Sequence, residues 1–334
     1  MTQDIPAPVF SVVVPMFNEA PGILLMHARL AAVMDAMGEP WEVVYVNDGS
    51  RDTTLPVVEA LRDRDTRVAL VNLSRNFGKE IATTAGLDHA RGAAVIVIDA
   101  DLQDPPEVIP QLVAGWREGF DMVYARRRGR AGETWLKTHT AALFYRLMRN
   151  WGQVELPPDT GDFRLMSRRA VDAILQLREQ HRFMKGLFAW VGFPSKPILY
   201  DRAPRAAGET KWSYWKLWNL AIEGFTSFSV LPLKLATYIG VVVALVAALF
   251  GVVVVLRTVI LGDSPAGYPS LLLVVLLLGG TQLIFLGVIG EYLGRVFNET
   301  KHRPLYLVER YLPTRPMPDA ISPAPTGLGH EELT

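Results

Sequence analysis

The chain has 334 residues, with 34 basic and 34 acidic side chains, so its net charge gives no reason to expect nucleic acid as a partner. It contains no cysteine, which excludes disulfide bonds, thiolate zinc sites and a thiol nucleophile. Half of the residues are hydrophobic and the mean hydropathy is +0.19, an excess that lies mainly towards the C-terminus, and the length allows about two domains.

Apolar runs that end in polar turns alternate with helical patterns over the first hundred residues. The sequence predicts strands at 10–15, 41–46, 68–73 and 95–98, and helices near 21–37, 53–63 and 79–91. This alternation predicts βαβ units and a mostly parallel sheet flanked by helices. A dinucleotide-binding fold is excluded because no G-x-G-x-x-G follows the first strand, and the sequence contains no Walker motif.

The acidic cluster DADLQD, at 99–104, directly follows the strand at 95–98. Ligands of open α/β sheets bind at the carboxyl ends of strands, where these carboxylates fall. Asp and Gln oxygens suit Mg²⁺ or Mn²⁺, which usually share their ligand shell with substrate phosphates. The alternative for such a cluster is a solvated acidic turn. The same rim of the sheet is expected to carry further polar side chains from the preceding strand ends, namely Asn18, Glu19, Asp48 and Lys79.

Beyond the cluster, the sequence predicts a helix at 107–119, a strand at 121–125 and an amphipathic helix at 135–151. The basic run at 126–130 is either a solvated loop or part of a site for an anionic acceptor, since arginine binds phosphate through planar, paired donors. Asp162 precedes an apolar, strand-like stretch and a helix that starts at 167. An Asp in such a turn either makes a structural hydrogen bond or takes part in chemistry.

Three motifs resemble those of family 2 glycosyltransferases of the GT-A fold: VPMFNE at 14–19, NDGS at 47–50 and DADLQDP at 99–105. Three more are similar to motifs of the polyprenyl-phosphate glycosyltransferases: SRNFGKE at 74–80, GDFRLM at 161–166 and GEYLGR at 290–295. The resemblance is closest to bacterial bactoprenol (undecaprenyl phosphate) glucosyltransferases, which are related to dolichyl-phosphate mannose synthases. It covers about residues 9–310 in matching order, with Asn47 where many relatives have a second Asp.

The resemblance implies roles for individual residues. Asp99, Asp101 and Gln103 would hold Mg²⁺ or Mn²⁺ on a nucleotide diphosphate, with Asp101 counted among the catalytic residues. Asp162 would be the general base, or would orient the acceptor if that is already a phosphate dianion. The residues implied to bind the donor nucleotide are Pro15, Phe17, Asn18, Glu19, Asp48, Lys79 and Asp99. Those expected to bind the acceptor phosphate are Arg127, Lys137, Arg202, Arg205 and Lys211, and the last three alternatively contact lipid headgroups.

Two uncharged runs, at 235–256 and 270–290, are each long enough to cross a membrane. Aromatic and lysine residues at 212–225 predict an interfacial helix before them. Basic residues flank the pair on both outer sides, and the first residues do not resemble a signal peptide. The positive-inside rule therefore predicts that both termini are cytoplasmic.

These features predict four parts of the chain. Residues 1–210 would form a cytoplasmic GT-A catalytic domain, and 211–230 a juxtamembrane interfacial helix. Residues 231–294 would form two transmembrane helices, and 295–334 a cytoplasmic C-terminal segment that is disordered from about 313.

The resemblance implies an inverting enzyme of the cytoplasmic (inner) membrane that moves a hexose, glucose from UDP-glucose, onto undecaprenyl phosphate for cell-envelope glycans such as the O-antigen. Mannose, galactose or an amino-arabinose derivative on the same lipid is the alternative, as is a catalytically inactive membrane scaffold. A processive polysaccharide synthase is disfavoured because two spans are few for a channel and no Q-x-x-R-W motif occurs. The expected partners are the nucleotide sugar, the lipid, the membrane and further copies of the chain in a homo-oligomer.

Overall fold

A computed structural model describes residues 7–128, 160–201, 231–261 and 267–315 of the chain. Its strands are β1 (Phe10–Met16), β2 (Trp41–Asn47), β3 (Val68–Leu73), β4 (Ala94–Val97), β5 (Met122–Arg127), β6 (Thr160–Ser167), β7 (Ser195–Tyr200) and β8 (Val308–Leu312). Its helices are α1 (Ala20–Ala36), α2 (Thr54–Arg64), α3 (Lys79–His89), α4 (Ile109–Arg117), α5 (Arg168–Gln176), α6 (Met184–Trp190), α7 (Leu231–Leu261) and α8 (Tyr268–Thr300). A short 3₁₀ helix, Pro106–Val108, precedes α4.

The strands form one eight-stranded sheet in the order β7-β5-β6-β4-β1-β2-β3-β8. The central four, β4, β1, β2 and β3, are parallel. Strand β6 is antiparallel to both β4 and β5, while β7 is parallel to β5 and β8 is antiparallel to β3. The predicted α/β class with a mostly parallel sheet and flanking helices is confirmed.

Helices cover both faces of the sheet because its central strands are apolar on both faces. Every residue of β1, β2 and β3 is buried. Alternate side chains point to opposite faces, so that Val12 packs with α1, α2 and α4 while Val13 packs with α3, α5 and α6. Each fully buried Val or Leu contributes about 1.5–3 kcal/mol to stability, so this double-sided core holds the strand ends at the rim in place.

Three elements of the fold were not predicted from the sequence: α6, β7 and β8. Strands β7 and β8 lie at the two edges of the sheet, and their sequences, SKPILY and VERYL, lack a continuous apolar run. Asp162, predicted to lie in a turn before a strand, is instead the third residue of β6. The predictions of a helix at 135–151 and of an interfacial helix at 211–230 concern residues outside the described ranges. The disordered tail is predicted from about 313, but Pro313, Thr314 and Arg315 are hydrogen-bonded to the sheet domain. The rest of that tail lies outside the described ranges.

The two longest helices have the length and composition of membrane spans. The qualifying stretches are Pro232–Val254 in α7 and Leu277–Thr300 in α8. Large apolar side chains along both helices are exposed on the protein surface, as at Leu245 and Leu283. The helices extend beyond the predicted uncharged runs, because α7 has 31 residues and α8 has 33.

The chain returns to the sheet after α8 and is fastened there. Strand β8 pairs with β3, and the backbone oxygen of Pro313 accepts a hydrogen bond from the Arg62 guanidinium at 2.8 Å. Arg91 Nη2 donates to Thr314 Oγ1 at 2.7 Å. Membrane-type helices and the sheet are thus joined on the C-terminal side by a paired strand.

Gly92 lies against the backbone of β1, and this close approach leads to a stability prediction. A Cβ on Gly92 would lie 2.5 Å from the Ser11 nitrogen and 2.8 Å from the Phe10 carbonyl carbon. Backbone atoms of a central strand cannot move aside, so we expect Gly92→Ala to lower the free energy of unfolding by about 2 kcal/mol. Denaturant unfolding of the detergent-solubilised protein measures this change.

Gly22→Ala is the matched control for this prediction, because a Cβ there would make only an ordinary contact, 3.7 Å from the Ala100 oxygen. We expect it to leave stability nearly unchanged. Equal losses in the two variants would contradict the close-approach argument.

Candidate active site

The polar loops after β1 and β2 are joined to each other at one edge of the sheet. The Asn18 backbone N–H donates to Ser50 Oγ at 3.0 Å, and Asn18 Oδ1 accepts from the Arg51 N–H at 2.8 Å. The Glu19 N–H donates to Thr54 Oγ1 at 3.0 Å. Asn18 has a φ of 56°, a left-handed conformation in which asparagine is enriched. The structure therefore brings Asn18 and Glu19 together with the loop of Asp48.

Asp48 fixes the next loop along the rim. Its carboxylate is 3% exposed and accepts hydrogen bonds from the N–H groups of Phe77 and Gly78 at 2.7 and 2.9 Å. Burial raises the pKa of Asp48 against the opposing effect of these two N–H groups. Gly49, with φ +62°, packs on the same loop, since a Cβ there would lie 2.5 Å from the Arg75 carbonyl carbon. Asp48 and Gly49 together set the position at which α3 begins.

The first residue of α3, Lys79, bridges the two carboxylates predicted to carry the chemistry. Its Nζ lies 2.7 Å from Asp99 and 2.6 Å from Asp162 Oδ2. Asp162 reaches this edge because β6 runs opposite to β4, with Val97 paired to Arg164. Asp99 and Asp162 each lie two residues beyond this last pair. The structure therefore brings Lys79 and Asp99 together with Asp162, which the sequence analysis did not assign to this rim.

The residues predicted to hold a metal ion, Asp99, Asp101 and Gln103, carry the oxygen ligands that a hard divalent ion prefers. Within the described ranges, no three His, Cys, Asp or Glu side chains form a ready-made metal-binding group. Asp99 and Asp162 nevertheless converge on one cation, the Lys79 ammonium, and a divalent ion at a nucleotide site takes part of its shell from phosphates. Leu102 has a φ of 60° and a buried side chain, a backbone conformation that is rare for a bulky residue and concentrated at functional sites. The donor set of Asp99, Asp101 and Gln103 therefore fits a hard divalent ion.

Three further charged residues, Glu80, Arg164 and Lys185, surround Asp162, and none of them was predicted to be a site residue. Arg164 donates to the backbone oxygens of Gly161 and Asp162 at 2.9 and 3.2 Å, and its guanidinium lies 3.7 Å from the ring centre of Phe188. Glu80 Oε2 accepts from the Met184 N–H at 3.2 Å. Lys185 follows Met184 in α6 and interacts electrostatically with Asp162. Glu80 and Arg164 stand in the motifs quoted above, whereas Lys185 carried no signal in the sequence.

The charges around Asp162 hold it ionised. Burial opposes its charge, but Lys79 and Lys185 lower the pKa of Asp162 below the ordinary value. Burial likewise disfavours the charge of Lys79, yet Asp162 and Asp99 raise its pKa well above normal. The Lys79 side chain is 44% exposed, so solvent screens this ion pair in part. One oxygen of Asp162, Oδ1, is buried and has no hydrogen-bond partner in the described part of the chain, so it can accept a proton or a hydrogen bond.

Arg127, predicted to bind the acceptor phosphate, lies close to Gly161 and Tyr200. Its Nη2 would be 3.7 Å from a Cβ on Gly161, next to Asp162, and its Nε donates to the Tyr200 hydroxyl at 3.5 Å. That hydroxyl donates to Asp104 Oδ1 at 2.5 Å. The buried Asp104 thus holds the Tyr200 hydroxyl in place, and Tyr200 in turn helps to orient Arg127. The other predicted acceptor residues lie outside the described ranges: Lys137, Arg202, Arg205 and Lys211.

The structure also describes the positions of four further predicted site residues, Pro15, Phe17, Asp101 and Gln103. Pro15 lies in β1 opposite Val46 of β2, and Phe17 is half-buried just after β1. The Gln103 backbone N–H donates to Asp101 Oδ1 at 3.1 Å. The predicted nucleotide contacts of Pro15, Phe17 and Asp48 and the metal contacts of Asp101 and Gln103 stay predictions.

Comparison with known proteins agrees with the family resemblance. The family described as Glycosyl transferase family 2 matches residues 11–175. An uncharacterized glycosyltransferase of Synechocystis sp. is 53% identical over 308 residues, covering 91% of this chain and 97% of the relative. A prophage bactoprenol glucosyl transferase homolog of Escherichia coli is 48% identical, covering 90% of this chain and 98% of the relative. Among solved structures, glucosyl-3-phosphoglycerate synthase from Mycobacterium tuberculosis is 21% identical with a TM-score of 0.43, covering 64% of this chain and 76% of that one.

Glu80 leads to a prediction about the pH dependence of stability. Burial and the charge of Asp162 raise its pKa from 4.5 to about 7. Between pH 4.5 and about 7, the Glu80 carboxyl therefore keeps its proton in the folded state and loses it in the unfolded state. The contribution of Glu80 to the free energy of unfolding is complete below pH 4.5 and is lost as the pH rises through about 7. We expect the unfolding free energy of wild type to fall more steeply than that of Glu80→Gln from about pH 5 to pH 7, by up to about 1.4 kcal/mol per pH unit. Parallel denaturation profiles for the two proteins would contradict this assignment.

Proposed function

This chain belongs to glycosyltransferase family 2, and on that premise we propose that it transfers glucose from UDP-glucose to undecaprenyl phosphate, with inversion at the anomeric carbon. One observation carries the proposal: the ion cluster of Lys79, Asp99 and Asp162 lies in a chain that also has two membrane-type helices. The names of two relatives support the choice of sugar and lipid: that of Shigella phage SfV is called a bactoprenol glucosyl transferase, and that of Escherichia coli a homolog of one.

The donor occupies the rim formed by the loops after β1, β2 and β4. Asn18 and Glu19 lie beside the loop of Asp48, where the ribose and base are expected. Pro15 and Phe17 are proposed to contribute to the same nucleotide site. Asp99, Asp101 and Gln103 would hold Mg²⁺ or Mn²⁺ on the diphosphate. When bound, such an ion stabilises the negative charge that develops on the leaving group. The chain itself contributes Lys79, whose ammonium stands beside Asp99 and can face the donor phosphates.

The acceptor phosphate is proposed to bind beside Asp162, on the side of Lys79 that faces away from the donor phosphates. Its oxygen forms the new bond to the anomeric carbon while the bond from that carbon to the diphosphate breaks and UDP leaves. Asp162, held ionised by Lys79 and Lys185, takes the proton of a singly protonated acceptor at its oxygen or orients a dianion. Arg127, supported by Tyr200, provides paired donors for the phosphate. Lys137, Arg202, Arg205 and Lys211 are proposed to complete the acceptor site.

The lipid acceptor accounts for the membrane-type helices. Only the phosphate head of a polyprenyl phosphate leaves the hydrocarbon region, so the catalytic domain must be held at the membrane surface. We infer that α7 and α8 span the membrane, with residues 211–230 along its surface and both termini in the cytoplasm, as the basic flanks favour. The catalytic domain is then residues 1–210, joined through β8 to the segment 295–334.

Labelled sugar transfer tests the proposal directly. Membranes that contain the chain are incubated with undecaprenyl phosphate and labelled UDP-glucose, UDP-galactose or GDP-mannose. We expect label from UDP-glucose in the lipid extract, lost when EDTA is added and restored by Mg²⁺ or Mn²⁺. Label from another donor alone would reassign the sugar, and no product from any donor would contradict the enzyme's proposed reaction.

Asp101→Ala tests the donor site. We expect it to abolish transfer and to weaken metal-dependent UDP binding by at least about tenfold, the loss that changes outside the ligand shell already cause. Binding is measured by calorimetry with and without metal. Wild-type binding and turnover in this variant would remove Asp101 from the site.

Asp162→Asn tests the acceptor site. The change removes the charge opposite Lys79 but keeps the size of the side chain. We expect turnover to fall by about a hundredfold or more, the usual contribution of a general base, with UDP-glucose affinity retained. Loss of UDP-glucose binding would instead place Asp162 in the donor pocket.

A further inference from the structure

The C-terminal end of α8 is hydrogen-bonded to the loop between α5 and α6. Glu299 Oε1 accepts from the backbone N–H of Gln180 at 2.7 Å, and Asn298 Nδ2 lies 3.0 Å from His181 Nε2. The Gln180 side-chain amide donates to the backbone oxygen of Arg303. These contacts of Asn298, Glu299 and Arg303 with residues 180–181 are called the helix-end clamp below.

The clamped loop leads directly into α6. Arg182 follows the clamped residues, is 5% exposed and donates to the Leu177 backbone oxygen, which closes the loop on itself. Met184, the first residue of α6, donates its N–H to Glu80. Lys185 comes next and acts electrostatically on Asp162. Only three residues, 182–184, therefore separate the clamped loop from Lys185, a cation that holds the proposed base ionised.

A second connection reaches the same region from the segment after α8. The Tyr306 hydroxyl donates to Asp88 Oδ2 at 2.7 Å, and the Arg178 guanidinium donates to both oxygens of Asp88 at 2.8 and 2.5 Å. Asp88 lies near the end of α3, the helix that begins with Lys79. The loop at 178–181 is thus held between α3 and the segment 298–306.

We propose that the helix-end clamp positions α6 for sugar transfer, with Glu299 as a positioning residue. Helix α6 has seven residues and no side-chain cap at its start, and helices this short are not stable by themselves. Its orientation is therefore set by neighbours, and the clamp fixes its entry. Because α8 is one of the proposed membrane spans, the clamp also couples the membrane anchor to the acceptor side of the site. This inference rests on the proposed transfer reaction.

Removing the clamp should affect turnover and not donor binding. Donor loops are held by Asn18 and Asp48, which have no contact with the clamp in the described residues. For Glu299→Ala in the full chain, we expect kcat to fall roughly three- to tenfold, the effect of one hydrogen bond, with KM for UDP-glucose unchanged. Glu299→Gln keeps an acceptor oxygen for the Gln180 N–H and should restore most of the turnover.

Glu118→Ala is the matched control, because Glu118 is also an exposed carboxylate that contacts another element, Lys196 at the start of β7. It should keep wild-type kcat. Wild-type kcat in Glu299→Ala, or an equal loss in Glu299→Gln, overturns the proposal. A loss of kcat accompanied by a raised KM for UDP-glucose also overturns it, since that pattern indicates general destabilisation.

Hydrogen exchange separates failure of the clamp from failure of the proposed reaction. In Glu299→Ala we expect faster amide exchange at 180–187 and unchanged exchange at 74–79, measured on the same detergent-solubilised proteins. Unchanged exchange at 180–187 overturns the clamp whether or not the enzyme transfers glucose. An inactive wild type with the expected exchange pattern counts against the proposed reaction alone.

Discussion

The contact on which the site depends is the Lys79 ammonium between Asp99 and Asp162. The pairing of β4 with β6 ends at Val97 and Arg164, two residues before Asp99 and Asp162, and both carboxylates contact the same ammonium. Two like charges this close together are destabilising without a cation between them. Lys79 lies within 2.7 Å of both and removes that repulsion. Its own position is set in turn by Asp48 and Gly49, which hold the loop before α3. A chain of contacts from the second strand therefore decides where the proposed donor and acceptor meet.

The mixed sheet divides the proposed reaction between its two parts. The parallel strands β1, β2 and β4 deliver the donor loops at their carboxyl ends. Strand β6 runs the other way, so its first residues, not its last, lie at the same rim. This reversal places Asp162 near Asp99 and puts Arg127, on the neighbouring β5, on the far side of Asp162 from the donor loops. One sheet thus carries both the proposed donor side and the proposed acceptor side of the site.

Asp162 lies among several buried charged side chains, an arrangement better explained by a role in the reaction than by a gain in folding stability. Burying several charges is costly, and replacing such clusters with apolar residues often stabilises a protein. Here Lys79 and Lys185 keep Asp162 ionised, while burial raises the pKa of Glu80 to about 7 and lowers that of Arg164 to about 10. These residues come from α3, β6 and α6. The end of α8 contacts the loop that leads into α6, and we propose that this contact helps to position Lys185.

The sequence by itself determined the strand-helix alternation of the first hundred residues, because buried parallel strands are apolar on both faces and their polar ends are turns. Motif resemblance also singled out Asp99 and Asp162, which the structure brings together at Lys79, and Asp101, whose role stays a prediction. The tertiary structure alone decided that β6 is reversed, that β8 returns to pair with β3, and that Lys185 lies near Asp162. Such contacts join residues far apart in the chain, and neither edge strands nor a lysine in a short helix has a local pattern that reports its distant partner.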